Sequence, residues 1–491
     1  MNDHRQIALT TLQKFFGFAN FRPGQLEIVL AILEQKDVLA ILPTGGGKSL
    51  CFQVPALIFS GTTLVISPLI SLMKDQVDHL EKVGIAATFI SSNLESKEID
   101  LRLAKLARGE YKLFYLAPER LSNQKIIEIC RQINISYLVV DEAHCISLWG
   151  HQFRPSYQKI PEFIKKIQGK NKKIAIAAFT ATATSLVIQE IKSFLELKQP
   201  ACFSGGFLRK NLIFHNLICQ SAWQKNLWLF KLLKIYHKEN IIIYCATRVE
   251  CERLLGLIKY YDFKNRYLIN IYHGGLEKKK REQVQNDFFV GKIKIMIATN
   301  AFGMGVDKSD VRVVIHYQIS ANLENYYQEA GRAGRDVKRS FVYLLYYEKD
   351  LLIQAEMINK NYEDEDHPRR QIEIDKLLSI KKYALSQTCL QAKISAYFGQ
   401  DQSENDCQNC YLCLQRKIEL SESEKEFRQK LEKINQLYSN KLQYGQLPVI
   451  LTIPQIELMA ILEPKTINDL QKIPGVGSGI INFYANYRIS R

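Results

Sequence analysis

No apolar run in this chain approaches the roughly 20 residues needed to cross a bilayer. The strongest, Val38 to Leu42 and Ile174 to Phe179, have the length of a strand. The opening Met1-Asn-Asp-His-Arg-Gln6 lacks the basic stretch and apolar core of a secretory leader, so neither membrane insertion nor secretion is expected. Low-complexity tracts and internal repeats are also missing. With 25 glycines and 13 prolines in 491 residues, collagen-like, mucin-like and wholly disordered chains are excluded. Acidic residues are in short supply: 50 Asp and Glu face 66 Lys and Arg, a net charge of +16. A field of that size favours polyanionic partners, nucleic acid first, over the alternative of a basic but unspecialised enzyme.

Eleven cysteines cannot all pair. Seven of them (Cys51, Cys130, Cys145, Cys202, Cys219, Cys245 and Cys251) fall in apolar or helical contexts that suit buried thiols in a reducing compartment. The other four cluster near the end. The length predicts two to four domains. Apolar, strand-length runs alternate with amphipathic segments from Asp37 to about Leu197, and again from Asn240 to about Tyr346, which reads as two α/β domains with buried parallel strands. The expected strands are Val38–Leu42, Thr62–Ile66, Leu113–Leu116, Tyr137–Val140 and Ile174–Phe179 in the first, and Ile241–Tyr244, Ile293–Ile297, Val311–His316 and Phe341–Leu345 in the second. Charge rises at Asn361 to Arg370, marking a linker, and Ser421 with Glu424 makes a capping box before Phe427, Leu431, Ile434 and Leu437.

Pro43-Thr-Gly-Gly-Gly-Lys-Ser49 follows a strand and opens a helix-compatible run, so Thr44, Gly45, Gly46 and Gly47 can present backbone N–H groups to phosphates. Lys48 would reach the β- and γ-phosphates, and Ser49 offers a hydroxyl to Mg²⁺. The strict pattern wants glycine at position 42, where this chain has Leu. Tyr137-Leu-Val-Val-Asp-Glu-Ala-His144 ends an apolar strand in two carboxylates, placing them at the carboxyl edge of a parallel sheet. Asp141 would hold Mg²⁺, leaving Glu142 to orient and deprotonate an attacking water. Gln328-Glu-Ala-Gly-Arg-Ala-Gly-Arg335 places Arg332 and Arg335 three apart, expected on one helical face, where they suit a γ-phosphate across an interdomain cleft or form an ordinary basic helix. Cys389-x₁₇-Cys407-x₂-Cys410-x₂-Cys413 supplies the four thiolates of a closed tetrahedral site; zinc is expected, with an iron–sulfur cluster as the alternative.

With these residues in hand, the chain from about Leu12 to Cys413 resembles the RecQ family of superfamily 2 DNA helicases. The resemblance implies an α/β fold of two RecA-like lobes, a helical zinc-binding module and a small helical C-terminal domain, with expected boundaries at 1–205, 206–348, 349–418 and 419–491. It implies that Arg22 and Gln25 contact adenine while Phe18 stacks on it, that Thr180-Ala-Thr182 couples the sites, that Ala298 to Asp307 is a second-lobe sensor, and that Gln328, Arg332 and Arg335 form the last motif with Arg335 as principal finger. Ser147 to Pro155 resembles the family's aromatic-rich loop, in which Trp149, His151, Phe153 and Arg154 would engage single-stranded bases. The family's cysteine site binds zinc. Two departures stand out. Leu208 and Lys210 replace an acidic residue and a proline in the entry to the second lobe, and Gln152 occupies an often acidic position.

Pro448 to Ile480 resembles a helicase-and-RNase-D C-terminal (HRDC) domain, whose Pro-Gly-Val-Gly turn either meets a DNA phosphate or joins two helices. Between Cys413 and Pro448 there is too little chain for the winged helix that many members carry. The expected activity is 3′-to-5′ DNA unwinding in recombination and repair, driven by ATP and Mg²⁺. Expected partners are single-stranded and forked DNA, a single-strand-binding protein and repair factors, in the cytoplasm at the nucleoid if the source is bacterial. An RNA helicase or RNA-stimulated ATPase is one alternative and a non-catalytic nucleic-acid-binding protein another.

Overall fold

The structure is a computed structural model that describes residues 2–43, 45–92, 94–147, 153–168, 173–206, 209–262, 267–303, 308–362, 367–400 and 407–414, with parts of 453–476. Thr44, Trp149, His151, Gln152, Leu208, residues 304–307, the Ser421 capping box with its helical run, and the glycine turn after Pro474 lie outside the described residues. The chain forms two units. Met1–Arg209 with Gly303–Asp307 and Ala392–Glu404 make the first, and Lys210–Phe302, Lys308–Gln391 and Asn405–Arg491 the second.

In the first unit seven strands, β1 (Val38–Ile41), β2 (Thr62–Ile66), β3 (Ala87–Ile90), β4 (Leu113–Leu116), β5 (Ile135–Val140), β6 (Ile176–Thr180) and β7 (Ala201–Ser204), pair in parallel in the order β3-β4-β2-β5-β6-β1-β7. The interior strands β1, β2, β4 and β6 are buried along their whole length, as a sheet covered on both faces requires. Because β6 separates β1 from β5, the segments that follow β1, β5 and β6 leave the same carboxyl edge side by side. That edge is where ligands bind in such sheets.

The second unit has six parallel strands, β8 (Leu212–Cys219), β9 (Asn240–Tyr244), β10 (Ile269–Tyr272), β11 (Ile295–Ala298), β12 (Val311–His316) and β13 (Ser340–Tyr347), in the order β10-β11-β9-β12-β13-β8. Its core runs from Leu229, Ile241 and Ile297 to Ile456, Leu458, Met459, Leu462, Leu470, Ile473 and Val476. The helix Ile453–Leu462 is thus packed into the second unit, against the helix Ala222–Ile235. Among the described residues no helix is long and apolar enough to cross a membrane.

Candidate nucleotide site, arginine turn and zinc centre

The phosphate loop is built by position. β1 ends at Ile41, and the helix Lys48–Ile58 starts seven residues later. Gly45 and Gly47 take the left-handed conformation (φ +79° and +74°), which a side chain would strain. Gly47 also meets a near neighbour: a Cβ there would lie 2.4 Å from Gln25 Nε2. Gln25 is buried, donates 3.0 Å bonds to the Gly46 and Gly47 carbonyls, and accepts the Arg22 backbone N–H at 2.8 Å. The Arg22 guanidinium donates to the Gly45 carbonyl. These two residues therefore hold the loop. Pairing of Gln25 with adenine would trade bonds it already makes. Phe18 is half exposed. The Lys48 ammonium lies 3.4 Å from the Leu42 carbonyl, and Ser49 follows it into the first helical turn.

Asp141 and Glu142 leave the end of β5. Asp141 accepts the Glu142 N–H at 2.9 Å and gives its own carbonyl to the Tyr157 hydroxyl at 2.8 Å. Burial raises the Asp141 carboxyl to about 7, Glu142 beside it adds to the rise, and Lys48 opposes it. A partly buried acid beside a second acid is a donor set that suits a divalent cation. Glu142 has φ +47°, a costly conformation for a residue with a side chain, at the point where the chain must turn its carboxylate. Its Oε2 lies 3.3 Å from His144 Nδ1, which lies 2.9 Å from Thr180 Oγ1 at the end of β6. Thr180 in turn donates to the Thr182 carbonyl at 3.0 Å. One continuous set of contacts thus links Glu142 to the Thr180-Ala-Thr182 segment.

Beyond it, Arg154 donates at 2.8 Å to the Pro68 carbonyl after β2, so this arginine braces the loop it belongs to, and Phe153 is partly buried. Tyr157, which holds Asp141, escaped the sequence reading; a tyrosine in a polar stretch gives no sign of a partner 16 residues away.

The arginines require a correction. They do not share a helical face: the helix Leu323–Ala330, which carries Gln328, stops at Gly331, and Arg332 and Arg335 sit on the turn that follows. The helix caps at Gly331, which keeps a right-handed φ of −63°, and Gly334 at φ +57° bends the turn beyond it. Arg332 is buried and Arg335 partly so. Two residues that spacing did not reveal hold this turn. Arg312 at the start of β12 clasps both Asp336 oxygens at 2.7 Å, and Asn211 donates to the Gly334 carbonyl at 2.8 Å.

Cys389, Cys407, Cys410 and Cys413 converge in the second unit, with all four sulfurs within 4.8 Å of one another. Tetrahedral ligation at about 2.3 Å puts sulfurs roughly 3.8 Å apart; the Cys407–Cys413 and Cys410–Cys413 pairs stand at 3.8 and 3.4 Å. The Cys407 thiol's hydrogen bond and the N–H groups of Cys413 and Leu390 pull Cys410 down to about 4, against burial, which favours the thiolate that a zinc ion needs. The four residues fit zinc.

Three family models match in the order the fold displays: the DEAD/DEAH box helicase model over residues 22–191, the helicase conserved C-terminal domain over 224–337, and the RecQ zinc-binding model over 348–414. The ATP-dependent DNA helicase RecQ of Bacillus subtilis is 41% identical over 410 residues, covering 83% of this chain and 67% of its own length. The chain belongs to the RecQ helicase family. The RecQ of Pasteurella multocida is 40% identical over 410 residues, 84% of this chain and 62% of its own. The chain therefore spans about two thirds, or slightly less, of these RecQ relatives. A putative ATP-dependent RNA helicase of Acanthamoeba polyphaga mimivirus is 38% identical over 404 residues, 81% of this chain and 71% of its own. Among solved structures, the MrfA helicase bound to DNA superposes with a TM-score of 0.58 at 18% identity, over 77% of this chain and 54% of that one, a likeness of fold. As a RecQ-family chain, it carries the family's ATP-binding helicase core and its four-cysteine zinc site.

Proposed function

We propose that this RecQ-family chain is an ATP- and Mg²⁺-dependent DNA helicase that moves 3′ to 5′ on single-stranded DNA and separates duplex or forked DNA in recombination and repair. The observation that carries the reading is the meeting of Lys48, Asp141 and Glu142 at one sheet edge, with Glu142 tied through His144 to Thr180. Thr44 to Ser49 cradle the phosphates, with Lys48 on the β- and γ-phosphates. Asp141 and Ser49 would hold a divalent cation, which would neutralise phosphate charge. Glu142 takes the proton of the attacking water. Arg335, with Arg332 and Gln328, stabilises the charge that builds on the transferred phosphate. The nucleic acid meets the loop of Trp149, His151, Phe153 and Arg154. Residues 1–205 and 206–348 serve as the motor lobes, 349–418 as the zinc module and 419–491 as an HRDC-like tail. The site of action is the nucleoid, alongside a single-strand-binding protein and repair factors.

The identity to a putative RNA helicase supports RNA-stimulated hydrolysis as the second reading. Matched DNA and RNA strands in an ATPase assay separate the two. Lys48→Ala should abolish turnover, and Glu142→Gln should bind ATP without hydrolysing it; wild-type turnover in either variant refutes the site. Unwinding of 3′-tailed and forked substrates, compared with 5′-tailed and blunt ones, tests the direction of travel.

A further inference from the structure

The turn that carries Arg332 and Arg335 has left its helix, so its position must be set from outside. The Gly334 N–H donates to the Val311 carbonyl at 2.9 Å. The Asn211 carboxamide reaches across a sequence separation of 123 residues to donate at 2.8 Å to the Gly334 carbonyl and at 3.0 Å to that of Lys338. The Asn211 carbonyl accepts the Ser340 N–H at 2.9 Å, so side chain and backbone grip the two ends of the same segment. Gly334 is what admits this side chain, since a Cβ there would lie 2.4 Å from Asn211 Nδ2.

Asn211 is itself pinned. Asn409 donates at 2.8 Å to the carbonyl of Lys210 and at 2.8 Å to that of Leu212, the two residues flanking Asn211. The Leu212 carbonyl also accepts from Gln391 at 2.9 Å. Asn409 stands between Cys407 and Cys410, in a loop whose backbone is fixed by the Cys410 N–H on Cys407 Sγ at 3.1 Å.

We propose that the zinc loop is a positioning element for the arginine turn, acting through Asn409, the Lys210–Leu212 backbone and Asn211. This rests on the reading of Arg335 as the residue that stabilises phosphate charge. The arrangement makes zinc binding a condition for a correctly placed arginine as well as for folding, because the metal fixes the loop that presents Asn409. Asn409 and Asn211 touch no nucleotide and are positioning residues.

The test uses the full, zinc-loaded chain with Asn409→Asp and Asn211→Asp, which keep the side-chain shape but remove both donors, and Gly334→Ala, which displaces Asn211 without touching the zinc loop. Zinc content, DNA-stimulated kcat and KM for ATP, and amide hydrogen exchange over residues 334–340 are measured for each. Two lost hydrogen bonds are expected to lower kcat by about tenfold while KM changes less than about twofold. Exchange over 334–340 should quicken, with about one zinc per chain retained in all three. Wild-type kcat and exchange in a zinc-replete Asn409→Asp protein would overturn the proposal, as would a loss of stability with kcat unchanged. Arg335→Ala is run beside them. If it turns over like wild type, the arginine reading fails, whereas faster exchange in Asn409→Asp would still establish the link from zinc loop to turn.

Discussion

Gly47 and Gln25 invite a double-mutant cycle, because each explains the other. In Gly47→Ala the new Cβ must keep a φ of +74°, a strain of about 1–2 kcal/mol. It also arrives 2.4 Å from Gln25 Nε2 and expels that amide, forfeiting the bonds to the Gly46 and Gly47 carbonyls at roughly 1 kcal/mol each. The sum is about 3–4 kcal/mol on the conformation that receives phosphates. Gln25→Ala alone forfeits those two bonds and the one it accepts from the Arg22 N–H, about 3 kcal/mol. In the double variant the bonds are already gone and the collision has no partner, so only the strain is added to that loss and the total is about 4–5 kcal/mol. The two changes should therefore couple by about 2 kcal/mol, and the double variant should bind ATP roughly 30-fold more tightly than additivity predicts. Titration with a fluorescent ATP analogue, with thermal melting as a control for folding, measures this. Strict additivity would show that Gln25 acts on the base and not on the loop.

Further expectations concern the second unit. Purified protein should be colourless with about one zinc per chain, and Cys410→Ser should lose the ion and melt earlier, since structural zinc contributes folding energy; a brown, iron-bearing protein would refute the assignment. His215, stacked between Tyr343 and Tyr411, is held down to about 4 by burial and then by Arg339. Its folded value is depressed from about 6.5, so the stability it contributes is complete above that pH and is lost as pH falls towards 4, at most about 3 kcal/mol. Chemical denaturation of wild type and His215→Phe across that window should show the slope shrink in the variant, and identical slopes would refute the cause. Truncation before Ile453 removes Ile456, Leu458, Met459 and Leu462 from the core. The melting temperature of the second unit should drop by several degrees, and an unchanged melt would mean the helix is not part of that core.

Each of the nine strands expected from apolar runs is present, three with the expected ends and the rest with ends shifted by one or two residues. The four that escaped, β3, β7, β8 and β10, are the four sheet edges. An edge strand is paired on one side only and needs less cover: β10 is half-buried throughout, and β7 alternates half-buried with exposed. β8 is interrupted by His215 and Asn216, polar residues whose partners, Tyr411 for one and the Tyr383 and Ala384 carbonyls for the other, lie far along the chain. The phosphate loop, the Asp-Glu pair and the cysteine spacing were legible because their chemistry is local. Asn211, Arg312 and Tyr157 carry no such signature, since what they do is defined by the residues they reach. The supposed helical face of Arg332 and Arg335 failed because the helix stops at Gly331, ahead of both arginines, and Gly334 bends the chain between them.

The helix Ile453–Leu462 has a consequence for how the protein is made. The first unit draws most of its chain from residues 1–209 and can gather its sheet early in synthesis. In the second unit, Leu229 and Ile241 wait for Met459 and Leu470, more than 200 residues downstream. Until the ribosome delivers them, the face of Ala222–Ile235 that they cover stays open to water. The nascent second lobe is thus the stretch on which a chaperone has the longest opportunity to act, and the point at which premature termination leaves the largest sticky surface.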